Sequence, residues 1–197
     1  MNYSRDFSKV LSDKSKILSL LEDCYFHTDD FHHWEEERAF IAKAINQPGS
    51  ILDIGSANGF LLTCFQEWQP HKLTPYGIDT DDNLIEKAKV LFPEYPDNFS
   101  VLSIENLNQT PLNFPKKFNL IFWNVWDNRD FTKPQELEIL KSVLNKVSLH
   151  GRLILGLYHR DQANNQRRIQ RLVSLGFVPR GILENPTGSE MACWFDK

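Results

Sequence analysis

The chain has 197 residues, 41% of them apolar and 24% charged, with a formal net charge of −4. That is the size of one ordinary domain with a globular composition, able to bury roughly 70% of its unfolded surface without disulfides or a structural metal. No apolar run approaches the about 20 residues of a membrane span, no basic and apolar leader opens the sequence, and the acidic charge argues against nucleic acid, whose phosphates demand a basic footprint.

Taken in chain order, the first fifty residues read as helical. Ser12-Asp13 caps the apolar stripe that begins at Lys16-Ile17-Leu18, and Trp34, Arg38, Ile41 and Ile45 share one face of a second helix from Phe31 to Ile45. Gln47-Pro48-Gly49 ends it, because proline removes a backbone donor and glycine tolerates the turn. The pattern then alternates. Strands are predicted at Ile51–Ile54, Leu73–Ile78, Asn98–Ile104, Leu120–Trp123 and Arg152–Tyr158, with helices at Phe60–Trp68, Asn83–Phe92, Pro134–Val147 and Gln162–Leu175 between or after them. Strands separated by helices of this length indicate parallel βαβ units with right-handed crossovers. The last two strands, Phe177–Leu183 and Met191–Asp196, flank Asn185-Pro186-Thr187-Gly188, a link too short for a crossover helix, so they pair as an antiparallel hairpin.

The chemistry concentrates in Asp53-Ile54-Gly55-Ser56-Ala57-Asn58-Gly59, between the first predicted strand and its helix. Glycines there let the backbone turn sharply and let a ligand approach without a Cβ in the way. An acid two residues before the first glycine favours a cationic or hydroxyl-bearing group and disfavours phosphate. Asp79, closing the second strand after Tyr76-Gly77-Ile78, stands where an acid accepts hydrogen bonds from both ribose hydroxyls. Together they describe a nucleoside without a diphosphate, carrying positive charge near the glycine loop.

On these residues the sequence resembles the class I S-adenosylmethionine-dependent methyltransferases. Asp53, Gly55 and Gly59 match the D-x-G-x-G-x-G of that family, with Ala57 at its middle glycine, and Gly77 to Ala88 is similar to its second motif. The resemblance covers about residues 50–197 and implies a Rossmann-like, doubly wound, mostly parallel α/β sheet of seven strands in the order 3-2-1-4-5-7-6, strand 7 antiparallel. Residues 1–49 would then be an N-terminal helical extension on the acceptor side, acting as a lid. The implied cofactor is S-adenosylmethionine, leaving as S-adenosylhomocysteine. By the same resemblance Asp53, Gly55, Ser56, Ala57, Asn58 and Gly59 would meet the methionine portion. Asp79 and Thr80 would hold the ribose, Ser103 and Ile104 would flank the adenine, and Asn124 would sit near the methionine end. Ser103 occupies a place where the family often has an aspartate, and Phe118-Asn119 one where it commonly reads Phe-Asp.

The acceptor is less defined. Two segments lie beyond strand ends, Asn124 to Asp130 and Tyr158 to Asp161, where open α/β sheets bind ligands. His159 is a candidate general base near neutral pH, and Asp127 a candidate for orienting an acceptor or for pairing with Arg129. Trp126 could wall an aromatic acceptor. Asn124-Val125-Trp126-Asp127 lacks the prolines of the Asn/Asp-Pro-Pro-aromatic motif of base-modifying DNA methyltransferases. The run His27 to Glu37 is rich in metal-ligating side chains but has no second cluster to complete a shell, so no metal is expected. Arg167, Arg168 and Arg171 read as a solvated helix face. Cys24, Cys64 and Cys193, odd in number and without CxxC spacing, fit the reduced thiols of a cytoplasmic protein. A small-molecule acceptor is the leading expectation. The alternatives are a protein or RNA acceptor and a binding module without turnover. A nicotinamide-dependent dehydrogenase would need G-x-G-x-x-G, which Gly55 to Phe60 does not supply.

Overall fold

The computed structural model describes residues 3–24, 30–126 and 129–197. Its seven strands are β1 (Gly49–Ile54), β2 (Leu73–Asp79), β3 (Phe99–Val101), β4 (Phe118–Val125), β5 (Val147–Leu157), β6 (Gly181–Glu184) and β7 (Met191–Asp196). They form one sheet in the order β3-β2-β1-β4-β5-β7-β6. The first five pair in parallel, and β7 runs antiparallel to both β5 and β6. The expected topology is therefore present, terminal hairpin included.

The helices are α1 (Arg5–Ser12), α2 (Lys14–Glu22), α3 (Phe31–Arg38), α4 (Phe60–Trp68), α5 (Asp82–Leu91), α6 (Pro134–Lys146) and α7 (Gln162–Ser174). Each face of the sheet carries its own apolar cluster. One joins Phe60 and Phe65 of α4, Ile85 of α5 and the inward residues Ile51, Phe122 and Ile154 to the N-terminal helices through Phe7, Leu21, Trp34 and Ile41. The other buries Leu140 and Val143 of α6 and Ile169 and Leu172 of α7 against Leu52, Ile121 and Leu155. Alternate residues of the central strands thus serve opposite clusters, as a sheet covered on both faces requires.

Local outcomes differ from the sequence reading at several places. β3 ends at Val101 rather than Ile104, where a 3₁₀ helix (Ile104–Gln109) begins. A separate helix, α1, precedes Asp13, whose carboxylate accepts from the Lys16 N–H and so caps α2. The helix expected from Phe31 to Ile45 breaks at Arg38 (φ −125°) into a 3₁₀ run, Ala39–Ala44. Phe40, Ile41, Ala42 and Ala44 are all buried there, and an α-helix with one apolar stripe could not bury so many near neighbours. β5 begins at Val147 rather than Arg152, because a bulge with His150 at φ +63° carries the strand through Leu149-His150-Gly151. β6 starts only at Gly181, after Pro179, which has no N–H to give a ladder.

At the amino end of β1, inside the sheet, Asn119 Oδ1 accepts from the Ser50 N–H at 3.0 Å and the Ser50 hydroxyl at 3.1 Å. The asparagine found where the resemblance suggests an aspartate thus stitches β4 to β1. No helix among the described residues is long and apolar enough to cross a membrane.

Candidate active site

A cleft of about 910 Å³ opens over the carboxyl ends of the parallel strands. The strands dictate this location, because each ends by aiming its last side chains and the following loop at the same space. Asp53, one residue from the end of β1, is only 1% exposed, and its Oδ1 has no hydrogen-bond partner among the described residues. Burial, with the Asp79 charge beside it, pushes the Asp53 carboxyl up to about 8.

The loop after β1 is held by backbone bonds. The Gly55 and Ser56 N–H groups both donate to the Ile78 carbonyl, at 2.9 and 3.0 Å. Gly55 sits at φ +80°, and a Cβ built on it would meet nothing within 4 Å, so its backbone lies bare to the cleft. Ala57 holds φ +48°, and its N–H donates to Asp79 Oδ2 at 2.8 Å. The Asp81 N–H donates to Asp79 Oδ1 at 3.1 Å. A carboxylate has about four lone-pair sites, so Asp79 keeps acceptor capacity toward the cleft after both bonds. Thr80 lines the cleft beside it. The Ser56 hydroxyl is buried without a partner, under Gly77, where any Cβ would come within 2.7 Å of it.

Two members of the expected motif face elsewhere. Asn58 Oδ1 accepts from the Phe60 N–H at 3.0 Å and from the Cys24 thiol at 3.2 Å, while its Nδ2 donates to the Leu20 carbonyl at 2.9 Å. Gly59, at φ +78°, packs so closely that a Cβ would approach the Phe92 ring to 2.9 Å. Neither lines the cleft. In the structure these two positions serve the capping and packing of α4.

At the β3 side, Leu102, Ser103 and Ile104 form one wall. The Ser103 hydroxyl donates to Glu105, which also accepts from Arg129. The Ser103 bond first, with Arg129 adding to it, holds the Glu105 carboxyl below the usual carboxylate range. At the end of β4, Asn124 Oδ1 is buried and unpartnered. Trp126, half exposed, lines the cleft next to it. Asp127 lies outside the described residues.

The opposite wall comes from α3 and the chain ends of β5 and β7, through His33, Trp34, Glu37, Arg38, Tyr158 and Glu190. The Tyr158 hydroxyl is buried without a partner, and burial raises its phenol well above the usual range. The Arg38 guanidinium covers the Tyr158 ring at 3.9 Å and the Trp34 ring at 5.2 Å. The sequence reading places Tyr158 in a candidate acceptor segment and α3 in the acceptor-side extension. It has Trp34 and Arg38 on a helix stripe and His33 and Glu37 in the candidate metal run, but gives none of these side chains an individual part in this wall and does not include Glu190. One signal was present. Alternation along β5 puts Gly156 and Tyr158 on the same face, and the missing Cβ at Gly156 would lie 2.9 Å from the Tyr158 hydroxyl, which marks the space the phenol fills.

His159 points the other way. Its Nδ1 accepts from the Asp161 N–H at 2.9 Å, its ring meets the Asn164 amide, and it lines a separate pocket with Arg167, Arg168 and Arg171. It does not line the main cleft. Arg168 donates to the carbonyls of Val125, Trp126 and Arg129, which makes it a brace for the loop after β4 and not part of a solvated face. His32 and His33 approach Glu35, Glu36 and Glu37, and among the described residues no group of three His, Cys, Asp or Glu is placed to hold a metal ion.

Comparisons with known proteins bear on the fold and the family. Among solved structures, the chain is similar to a ribosomal protein L11 methylase from Lactobacillus delbrueckii subsp. bulgaricus, at 14% identity and TM-score 0.59, covering 87% of this chain and 82% of that one. It is similar to a SAM-dependent methyltransferase from Aquifex aeolicus, at 18% identity and TM-score 0.57, covering 92% and 97%. A SAM-dependent methyltransferase from Geobacter sulfurreducens, solved with S-adenosyl-L-homocysteine, matches at 15% identity and TM-score 0.52, covering 76% and 66%. At such identities these are likenesses of fold. No curated protein sequence matches. The family model described as a methyltransferase domain matches residues 26–189, and with that span the chain belongs to the methyltransferase-domain family.

Proposed function

We propose that this protein binds S-adenosylmethionine across the strand ends and transfers its methyl group to a small-molecule acceptor. The observation that carries the reading is Asp53, an acid buried with an unpartnered oxygen, facing the cleft beside Asp79. A buried carboxylate left without a partner is costly, and a ligand bringing positive charge to it removes the cost. The sulfonium and the amino group of S-adenosylmethionine supply that charge. Ser56 and Asn124, which also line the cleft, add two further buried polar atoms without a partner among the described residues. Asp79 would hold the ribose hydroxyls, Thr80 would lie beside them, and Ser103 and Ile104 would flank the adenine. Gly55 would let the methionine portion pass close to the backbone. Asn58, Gly59 and Ala57 support that surface by holding α4 and Asp79.

Bound there, S-adenosylmethionine would supply a methyl carbon activated by its sulfonium, and transfer would leave S-adenosylhomocysteine. The chain's own contribution is alignment, worth roughly 7–11 kcal/mol in well-oriented systems. A small acceptor is supported by the cleft volume, about 910 Å³, which falls among small-molecule sites of about 300–1,000 Å³. It is supported too by the wall that α3 builds over the acceptor end. We accordingly assign residues 1–49 to the acceptor side and residues 50–197 to cofactor binding, in a cytoplasmic enzyme whose three cysteines are unpaired.

Isothermal titration with S-adenosylmethionine and S-adenosylhomocysteine tests the cofactor. Micromolar binding that Asp79→Ala weakens at least tenfold is the expected result. A folded wild-type protein that binds neither ligand at millimolar concentration overturns it.

A further inference from the structure

Beyond the cofactor half of the cleft, two carboxylates meet on one wall. Glu37 comes from α3 and Glu190 from the turn into β7, 153 positions apart in the chain (190 − 37), and both line the cleft together with the unpartnered Tyr158 hydroxyl. The Glu37 side chain is only 23% exposed. Burial raises its carboxyl above the usual range, and the Glu190 charge adds to this against the lowering by Arg38 and His33. Glu190 is itself half-buried and accepts from the Asn185 amide at 2.8 Å. At Tyr158 burial is the main cause of the raised phenol, with Arg38 opposing it and Asp53, Glu190 and Glu37 adding to it. Two acids brought together over a buried hydroxyl, with Arg38 paired to Glu37, leave the wall one carboxylate in excess of its guanidinium.

The positive groups nearby meet only one of the two acids. Arg38, stacked over the rings of Tyr158 and Trp34, donates to Glu37 Oε2 at 3.4 Å, and His33 Nε2 lies 3.4 Å from Glu37 Oε1, whereas among the described residues no cationic side chain pairs with Glu190. Arg160 is exposed at the rim, where solvent screens its charge more than it screens Glu37.

We propose that the acceptor is a small amine, held as its cation by Glu37 and Glu190 and oriented by the Tyr158 hydroxyl, so that the enzyme is an amine N-methyltransferase. This rests on the cofactor reading above. In the reaction the ammonium first gives one proton to a carboxylate of the pair, which frees the nitrogen lone pair. The new N–C bond then forms as the carbon–sulfur bond breaks, the electron pair stays on sulfur, and the proton leaves to solvent from the carboxylate. The products are the methylated ammonium, S-adenosylhomocysteine and one proton.

The test uses the full chain saturated with S-adenosylhomocysteine, probed with phenethylamine, phenethyl alcohol and 3-phenylpropionate, and a parallel assay that follows transfer of labelled methyl to the same three. The amine should bind at least tenfold more tightly than the alcohol, the acid should bind weakest, and label should appear on the amine alone. Glu37→Gln and Glu190→Gln should each weaken the amine about tenfold while S-adenosylhomocysteine binds as in wild type. The amide variants keep size and polarity, and the comparison of the three probes on wild type does not depend on their folding. Equal binding of amine and alcohol, or preference for the acid, overturns the proposal. So does S-adenosylhomocysteine binding with no amine binding, and in that case the cofactor reading stands. Loss of S-adenosylhomocysteine binding by the wild-type protein overturns both.

Discussion

The two halves of the cleft are built in opposite ways. The half proposed for the cofactor is centred on two short segments, residues 53–57 and 79–80, tied to one another through the Ala57–Asp79 bond, with Ser103, Ile104 and Asn124 at its sides. The half proposed for the acceptor converges from α3, the end of β5 and the turn before β7. A local loop can be fixed by its own φ angles and hydrogen bonds. A wall assembled from three distant segments is fixed only by the packing that brings them together, so it can vary while the loop persists.

Substitutions within the loop break this contrast most sharply. Gly55→Val points a side chain into open cleft, so cofactor affinity should fall about a hundredfold in calorimetry, while stability falls by only about 1–2 kcal/mol from the left-handed backbone. Gly59→Ala should do the reverse: the same backbone strain plus the approach to Phe92 should lower urea stability by about 2 kcal/mol or more, with affinity of the folded fraction nearly kept.

Asp53 should show its burial as a pH dependence. Its folded carboxyl stands at about 8 against an ordinary value of 3.8, so the folded state holds a proton that the unfolded chain has already lost. Its contribution to stability therefore falls as pH rises from about 4 and levels off above about 8. Asp53→Asn should flatten that stretch of the stability curve and gain most on wild type near pH 8. Because a cationic ligand favours the ionised form, wild-type affinity for S-adenosylmethionine should rise with pH over the same interval, with proton release on binding, and the asparagine variant should lose both effects.

On the acceptor wall, Tyr158→Phe removes a hydroxyl that folding strips of water without giving it a partner. Stability should rise by up to about 1 kcal/mol, while methyl transfer falls about tenfold with cofactor affinity kept. The smallest effect belongs to His159→Ala, whose ring lies outside the cleft: turnover should stay within about twofold, with about 0.5–1 kcal/mol of stability lost from its bonds to Asn164 and Asp161. A collapse of turnover would return the histidine to the chemistry.

These contrasts also explain what the sequence could tell. The alternation of strands and helices, the terminal hairpin and the pair Asp53 and Asp79 were legible, because periodicity and turn residues act locally. The motif did not reveal that Asn58 and Gly59 serve α4, since a glycine kept for packing looks the same as one kept for a ligand. Tyr158 and His159 are adjacent in sequence, and strand alternation sends them to opposite sides. Choosing between them required knowing which face of β5 met the cleft. Glu37 and Glu190 carried no shared signal at all, because nothing local links a helix to a distant hairpin turn.

Asn58 has a consequence for how the molecule opens. One amide holds the Leu20 carbonyl of α2, the first N–H of α4 and the Cys24 thiol. The N-terminal helices and the ligand loop are therefore parts of one cooperative unit, and neither can come apart without exposing the other's polar groups. A ligand that quiets the loop should slow hydrogen exchange in α2, so occupancy of the site can be read from amides that never touch it.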